Sequence, residues 1–179
     1  LVGSEMCIRD RAFWGFTIAI ILGGKLVDSI GMKKGMWLAF TSHAIGIILT
    51  LAANDFTSLF TATVIMGLGN GMVEAVCNPL VASMYPREKT KMLNRFNLWW
   101  PAGIVIGSLV GLILMDIMNL NWQLMVASLF VPLALYGYLL IGQTFPQTER
   151  VTLGVNKKDA LKSLSLIHIS EPTRRTPIS

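Results

Sequence analysis

Residues 36–84 read MWLAFTSHAIGIILTLAANDFTSLFTATVIMGLGNGMVEAVCNPLVASM, and this stretch decides the fold. Its only charged residues are Asp55 and Glu74. The polar pair Asn54-Asp55 divides it into two apolar runs, each close to the ~20 residues that cross a hydrocarbon core as helix. Working outward, similar runs occupy 13–27, 96–115 and 122–141, so the expected spans are 13–27, 36–53, 57–84, 96–115 and 122–141. None of them alternates polar with apolar residues, as the strands of a membrane β-barrel would. The chain is 53% hydrophobic and 14% charged, outside the composition of a soluble domain. The expected fold class is all-α transmembrane with five spans, and the expected surroundings are a lipid bilayer.

The charges sit between the runs. A net charge of +5 raises the question of a nucleic-acid partner, but the position of the basic residues argues for a membrane topology instead. Lys25, Lys33 and Lys34 flank the first connector; Arg87, Lys89, Lys91 and Arg95 fill the third; Arg150, Lys157, Lys158 and Lys162 follow the last span. The second connector, at Asn54 and Asp55, and the fourth, at 119–121, have none. With five spans these basic clusters share one side, which the positive-inside rule makes cytoplasmic. A multi-pass protein of the cytoplasmic (inner) membrane is expected.

Both ends look extraneous. Residues 1–11, LVGSEMCIRDR, and 165–174, SLIHISEPTR, resemble translated sequencing-adapter tails and follow no helical or strand period. The expected organisation is therefore an adapter-like tail at 1–11, membrane helices over 12–142, a cytoplasmic loop beginning at 143–164 and a second tail at 165–179. The gene is then expected to be cut at both ends. Setting the tails aside leaves Cys77 and His43 as the single cysteine and histidine, too few for a metal cluster or a cysteine–histidine pair. No metal or cofactor is expected.

One span carries chemistry. Gly67, Asn70, Gly71, Glu74 and Asn78 fall within an arc of about 100° on one helical face, a small and polar stripe. The Gly-x-Gly-x-Gly run in it is not a phosphate loop, because it lies inside an apolar helix rather than between a strand and a helix. An acid near mid-membrane costs several kcal/mol and usually faces a cavity, a partner or a proton path, which makes Glu74 the leading candidate for substrate or proton handling. Asn70 and Asn78 either bind substrate or hold helices together. Asn97 and Trp100, beside Pro101, form a polar and aromatic start to the fourth span, where the indole either stacks on a sugar ring or anchors the interface. His43 is either a proton relay or a hydrogen-bonded packing residue. Gly103, Gly107 and Gly111 repeat at four-residue spacing and lead us to expect a tight helix crossing.

The segment Gly24-Lys-Leu-Val-Asp28-Ser-Ile-Gly31-Met-Lys33-Lys34 resembles the loop signature between the second and third helices of the major facilitator superfamily. Gly67-Leu-Gly-Asn-Gly-Met-Val-Glu74-Ala-Val-Cys-Asn78-Pro79 is similar to the fourth helix of its fucose:proton symporter family. Residues 93–97 with Pro101 and Gly103, and residues 145–150, are similar to the start of that family's fifth helix and the exit from its sixth. The resemblance implies a major facilitator fold, with helices two to six of a partial N-terminal six-helix bundle. It implies proton-coupled sugar symport, with Glu74 in proton coupling and sugar binding and Asn70, Asn78 and Asn97 in binding. Trp100 stands where an amide is expected. Gly24, Asp28, Gly31, Lys33 and Lys34 would form a conformational latch, although Ser29 and Met32 replace basic residues of the pattern. The partners implied are a sugar, protons and a C-terminal half of the same protein, absent from this chain. A membrane enzyme using Glu74 lacks a second acid, a metal-ligand pair or an activated nucleophile at matching depth. A sensor or assembly subunit on the same fold stays open.

Overall fold

The computed structural model describes residues 2–146, with side chains from Trp14 onward, and every regular element among them is helical. The expected central loop at 143–164 lies almost wholly, and the closing tail wholly, outside the described residues, as do Arg150, Lys157, Lys158 and Lys162. The helices are α1 (Val2–Ile30), α2 (Met32–Ala52), α3 (Phe56–Met84), α4 (Lys89–Asn97), α5 (Trp99–Leu112), α6 (Trp122–Ser128) and α7 (Phe130–Leu140), and a π turn at Ile113–Ile117 extends α5. Among the described residues, four segments are long and apolar enough to cross a membrane: Met32–Ala52, Phe56–Met84, Lys89–Ile117 and Trp122–Leu140. They coincide with the last four expected spans. The first, 13–27, lies inside α1, whose helix also runs back through the expected tail at 2–11.

The connectors differ from their expected form. Residues 24–34 are not a loop, because α1 continues to Ile30 and Gly31 alone separates it from α2. Gly31 adopts φ +87° and ψ 154°, a region open in practice only to a residue without Cβ. Gly24, the first glycine of that loop-like segment, is a mid-helix residue with nothing within 4 Å of where its Cβ would stand. The third connector is likewise mostly helix: Lys89, Lys91 and Arg95 belong to α4, and exposed Lys91 pairs with Glu88 at 3.3 Å. Between α2 and α3, Asp55 caps α3, accepting from the Ser58 amide at 2.8 Å while the Ser58 hydroxyl accepts from the Asp55 amide. This reciprocal pair satisfies two N–H groups at the helix start.

Two prolines set the breaks in the later spans. A proline lacks the N–H that would bond the carbonyl four residues back. Pro101 thereby frees the Asn97 carbonyl and Pro132 that of Ser128, and the helices are interrupted at the next residue in each case, Leu98 and Leu129. Pro79 sits inside α3 without ending it.

α3 is the hub, packing against α1, α2 and α4, while α2 also meets α6 and α7. The core collects Val27, Met32, Met36, Ala39, Met72, Val76 and Leu140. Close approach depends on small residues: Gly71 lies against the Phe16 carbonyl and Ala19 of α1, Gly46 against Met66, and Gly137 against the Phe40 ring. The Gly103-Gly107-Gly111 stripe behaves otherwise. Gly111 faces Met125, but Gly103 and Gly107 have nothing within 4 Å, and Ile104, Val105 and Ile106 beside them are exposed. The expected tight crossing is absent for those two glycines because no described helix lies on that face of α5.

Candidate functional site

The polar stripe of α3 opens onto a cavity of about 350 Å³. From α3 come Asn70, Val73 and Glu74; from α4, Phe96 and Asn97; from α5, Trp99 and Trp100. His43 of α2 and Tyr136 of α7 complete the lining. Four of the five residues singled out for substrate or proton handling, Asn70, Glu74, Asn97 and Trp100, are thus brought to one space from three helices. The helical period places Asn70 and Glu74 together, one turn apart. The break at Leu98 brings Asn97 and the paired indoles to the same place from the end of one helix and the start of the next.

Asn78 does not line the cavity. It lies one further turn along α3, where its Nδ2 donates to Glu74 Oε2 at 2.7 Å. Its own Oδ1 is buried without a hydrogen-bond partner among the described residues. The α3 acid is therefore held from behind by an amide while its cavity side stays open to a ligand. A hydrogen bond to an ionised carboxylate is worth roughly 1.5–3 kcal/mol, enough to keep the side chain in one orientation.

His43 and Tyr136 enter from outside the stripe. The Asn70 carbonyl oxygen accepts from His43 Nε2 at 3.0 Å, so that nitrogen carries the proton. The Tyr136 hydroxyl donates to the Met36 backbone carbonyl at 3.0 Å, and its ring lies 5.8 Å from that of Phe40, which itself meets Trp37 edge-on at 5.4 Å. On the other side, Trp100 lies 5.7 Å from the Phe16 ring of α1. His43, a relay or packing candidate from the sequence, lines this space, and Tyr136, Phe96 and Trp99 join it without having been marked as site residues by pattern. The usable signal for Tyr136 was a phenol within an apolar span, which needs a hydrogen-bond partner there.

The residues read as a latch are elsewhere. Gly24 and Asp28 are on α1, Gly31 is the link, and Lys33 and Lys34 are exposed in the first turn of α2. None of the five lines the cavity. Asp28 is half-buried, and α2 has no acidic residue in its first turn and no side-chain cap at its start.

Residues 11–176 match the Major Facilitator Superfamily. Among curated proteins, the chain is similar to a triacylglyceride transporter of Mycolicibacterium smegmatis, with 27% identity over 138 residues, 76% of this chain and 24% of that protein. It is also similar to the galactose transporter of Saccharomyces cerevisiae, 26% identical over 159 residues, 84% of this chain and 27% of that protein. A minor myo-inositol transporter of Bacillus subtilis is 27% identical over 124 residues, 69% of this chain and 28% of its own length. The chain spans about a quarter of the length of these relatives. No solved structure matches it. Apolar spanning helices packed through small residues, a polar face turned into a shared cavity and a family match over most of the sequence agree: the chain belongs to the Major Facilitator Superfamily.

Proposed function

We propose that the intact protein is a proton-coupled symporter of a sugar or similar polyol, and that this chain contributes helices two to six, including part of the substrate site. The observation that carries the reading is the lone acid of the cavity, Glu74, held by Asn78 and flanked by Asn70, Asn97 and aromatic rings. A polyol needs donors, acceptors and flat apolar faces together, and these side chains provide all three. The relatives named for galactose and myo-inositol support a polyol, whereas the one named for triacylglycerides does not, so the lining chemistry carries the choice. The closer likeness to fucose:proton symporters, from the residues 67–79, belongs to the same proposal.

In this mechanism a substrate hydroxyl meets Glu74 and Asn70 while Trp100 covers an apolar face of the ring. Protonation of Glu74 removes a charge that is costly inside the membrane, and so changes which of the two half-open states is more stable. The titratable groups sharing the space are His43 from α2 and Tyr136 from α7, with Cys77 beside Glu74 on α3. Two pseudo-symmetric halves would rock about the site, the second supplied by the C-terminal part of the full protein. Lys25, Lys33, Lys34, Arg87 and the basic face of α4 would lie at the cytoplasmic side of the inner membrane, with Gly24, Asp28, Gly31, Lys33 and Lys34 latching one conformation.

The test uses the full-length protein in proteoliposomes with an imposed inward proton gradient. At least one of D-galactose, D-glucose, myo-inositol and L-fucose is expected to accumulate, and a protonophore to abolish the accumulation. Glu74→Gln is expected to lose accumulation but to retain exchange of labelled for unlabelled sugar. Equal accumulation by Glu74→Gln and the unaltered protein would overturn the coupling role.

A further inference from the structure

The cavity has a neighbour. A second cavity of about 280 Å³ lies between α2, α3 and α7, with Leu129 of the α6–α7 break at its edge, and its lining shares His43, Asn70 and Tyr136 with the first. Beyond that common wall it is apolar, with Ile47, Met66 and Leu133 among its residues. One hydrogen bond spans the wall, from His43 Nε2 to Asn70 Oδ1. Tyr136 is engaged elsewhere, at the Met36 carbonyl. The imidazole fits because residue 69 is glycine: a Cβ there would stand 2.9 Å from both Cδ2 and Nε2 of His43.

A carboxamide has two unlike sides, one accepting and one donating. With its oxygen held by His43, Asn70 has its N–H groups left for the substrate, and Glu74 one turn along presents acceptor oxygens to the same space. We infer that His43 is a specificity-determining positioning residue: it holds the Asn70 amide so that the site selects a hydroxyl able to accept from Asn70 while donating to Glu74, and it closes that site from the apolar cavity behind. The inference rests on the sugar-transport reading above. Without His43 the amide turns freely, and a turned amide sets its oxygen beside the Glu74 carboxylate, where neither can donate to the other. A hydroxyl that bridged them then loses one of its two partners.

The experiment is initial-rate uptake by the full-length protein in proteoliposomes, with whichever of D-galactose, D-glucose, myo-inositol or L-fucose the unaltered protein accumulates. His43→Leu is expected to raise KM about tenfold, the equivalent of one lost hydrogen bond of ordinary strength, with maximal rate and pH profile unchanged. His43→Gln, whose amide can donate to Asn70, recovers most of the affinity. Gly69→Ala keeps the imidazole but crowds it, and is expected to raise KM in the same way; should His43→Leu fail to reach the membrane, Gly69→Ala decides. Unchanged KM in the variants that assemble overturns the inference. So does a shifted pH profile in His43→Leu at unchanged KM, which would make His43 a proton carrier. If the unaltered protein accumulates none of the four sugars, the transport reading fails and the inference with it. If it accumulates one and KM does not move, the inference alone fails.

Discussion

Asn78 Nδ2 donates to Glu74 Oε2 at 2.7 Å across one turn of α3, and the oxygen of the same amide is buried without a hydrogen-bond partner among the described residues. The amide thus serves the Glu74 carboxyl group at the expense of its own acceptor. Asn78→Leu in the full-length protein removes the donor and the orphaned oxygen together, so folding changes little. The carboxylate loses the donor that orients it toward the cavity, and the KM for the transported sugar is expected to rise roughly tenfold, the equivalent of one lost hydrogen bond. An unchanged KM would show that the amide does not position the carboxylate.

The link at Gly31 separates two glycines that look alike in sequence. Gly31→Ala forces a Cβ onto a backbone at φ +87° and is expected to cost about 1–3 kcal/mol. Gly24→Ala, in mid-helix with open space around it, is expected to be neutral or to stabilise by up to about 1 kcal/mol. Thermal unfolding of the purified full-length protein in detergent orders the two. The reverse order would place the turn at Gly24.

Gly71 decides how closely α1 and α3 approach. A Cβ at that position would stand 2.5 Å from the Phe16 carbonyl oxygen, a backbone atom that cannot swing aside. Gly71→Ala is therefore expected to destabilise by about 1–3 kcal/mol and to lower the yield of folded protein. Gly107→Ala, with nothing within 4 Å, is the control. A loss of stability there in the full-length protein would mark a helix, from outside the described residues, lying on that face of α5.

Asp55 offers a pH test outside the membrane. Hydrogen bonds from Ser58 hold its carboxyl below the ordinary aspartate value of 3.8. Because folding lowers that value, the stabilisation is in force above the unfolded value and is lost as pH falls through the folded one. Below about pH 3.8 the first-turn amides of α3 are expected to exchange faster with deuterium, and Asp55→Ala to show the faster exchange at every pH. Asp55→Asn, which caps without ionising, is expected to remove the pH dependence.

The membrane segments were legible because a run of some twenty apolar residues is a statement about solvent and needs no knowledge of neighbours. The same holds for the face shared by Asn70, Glu74 and Asn78, which follows from helical period alone. What faces that stripe was not legible. His43 lies 27 positions from its partner Asn70, and Tyr136 lies 100 from Met36. Periodicity says which way a side chain turns but not which helix stands opposite. Gly103 and Gly107 make the converse point, since a small-residue stripe permits close approach without supplying the neighbour. The interruptions at Leu98 and Leu129 could have been placed from Pro101 and Pro132, yet Pro79 leaves α3 continuous, so proline alone does not decide where a helix breaks.

A joint of one residue leaves no slack. With Gly31 alone between them, α1 and α2 have nearly no spare contour length at that end, and neither helix can slide along its axis without drawing the other after it. The passage from α3 to α4 includes four residues outside helix, 85–88, and has the slack that Gly31 lacks. In any rocking of the bundle, α1 and α2 are expected to travel as one lever, with the relative movement taken up further along the chain.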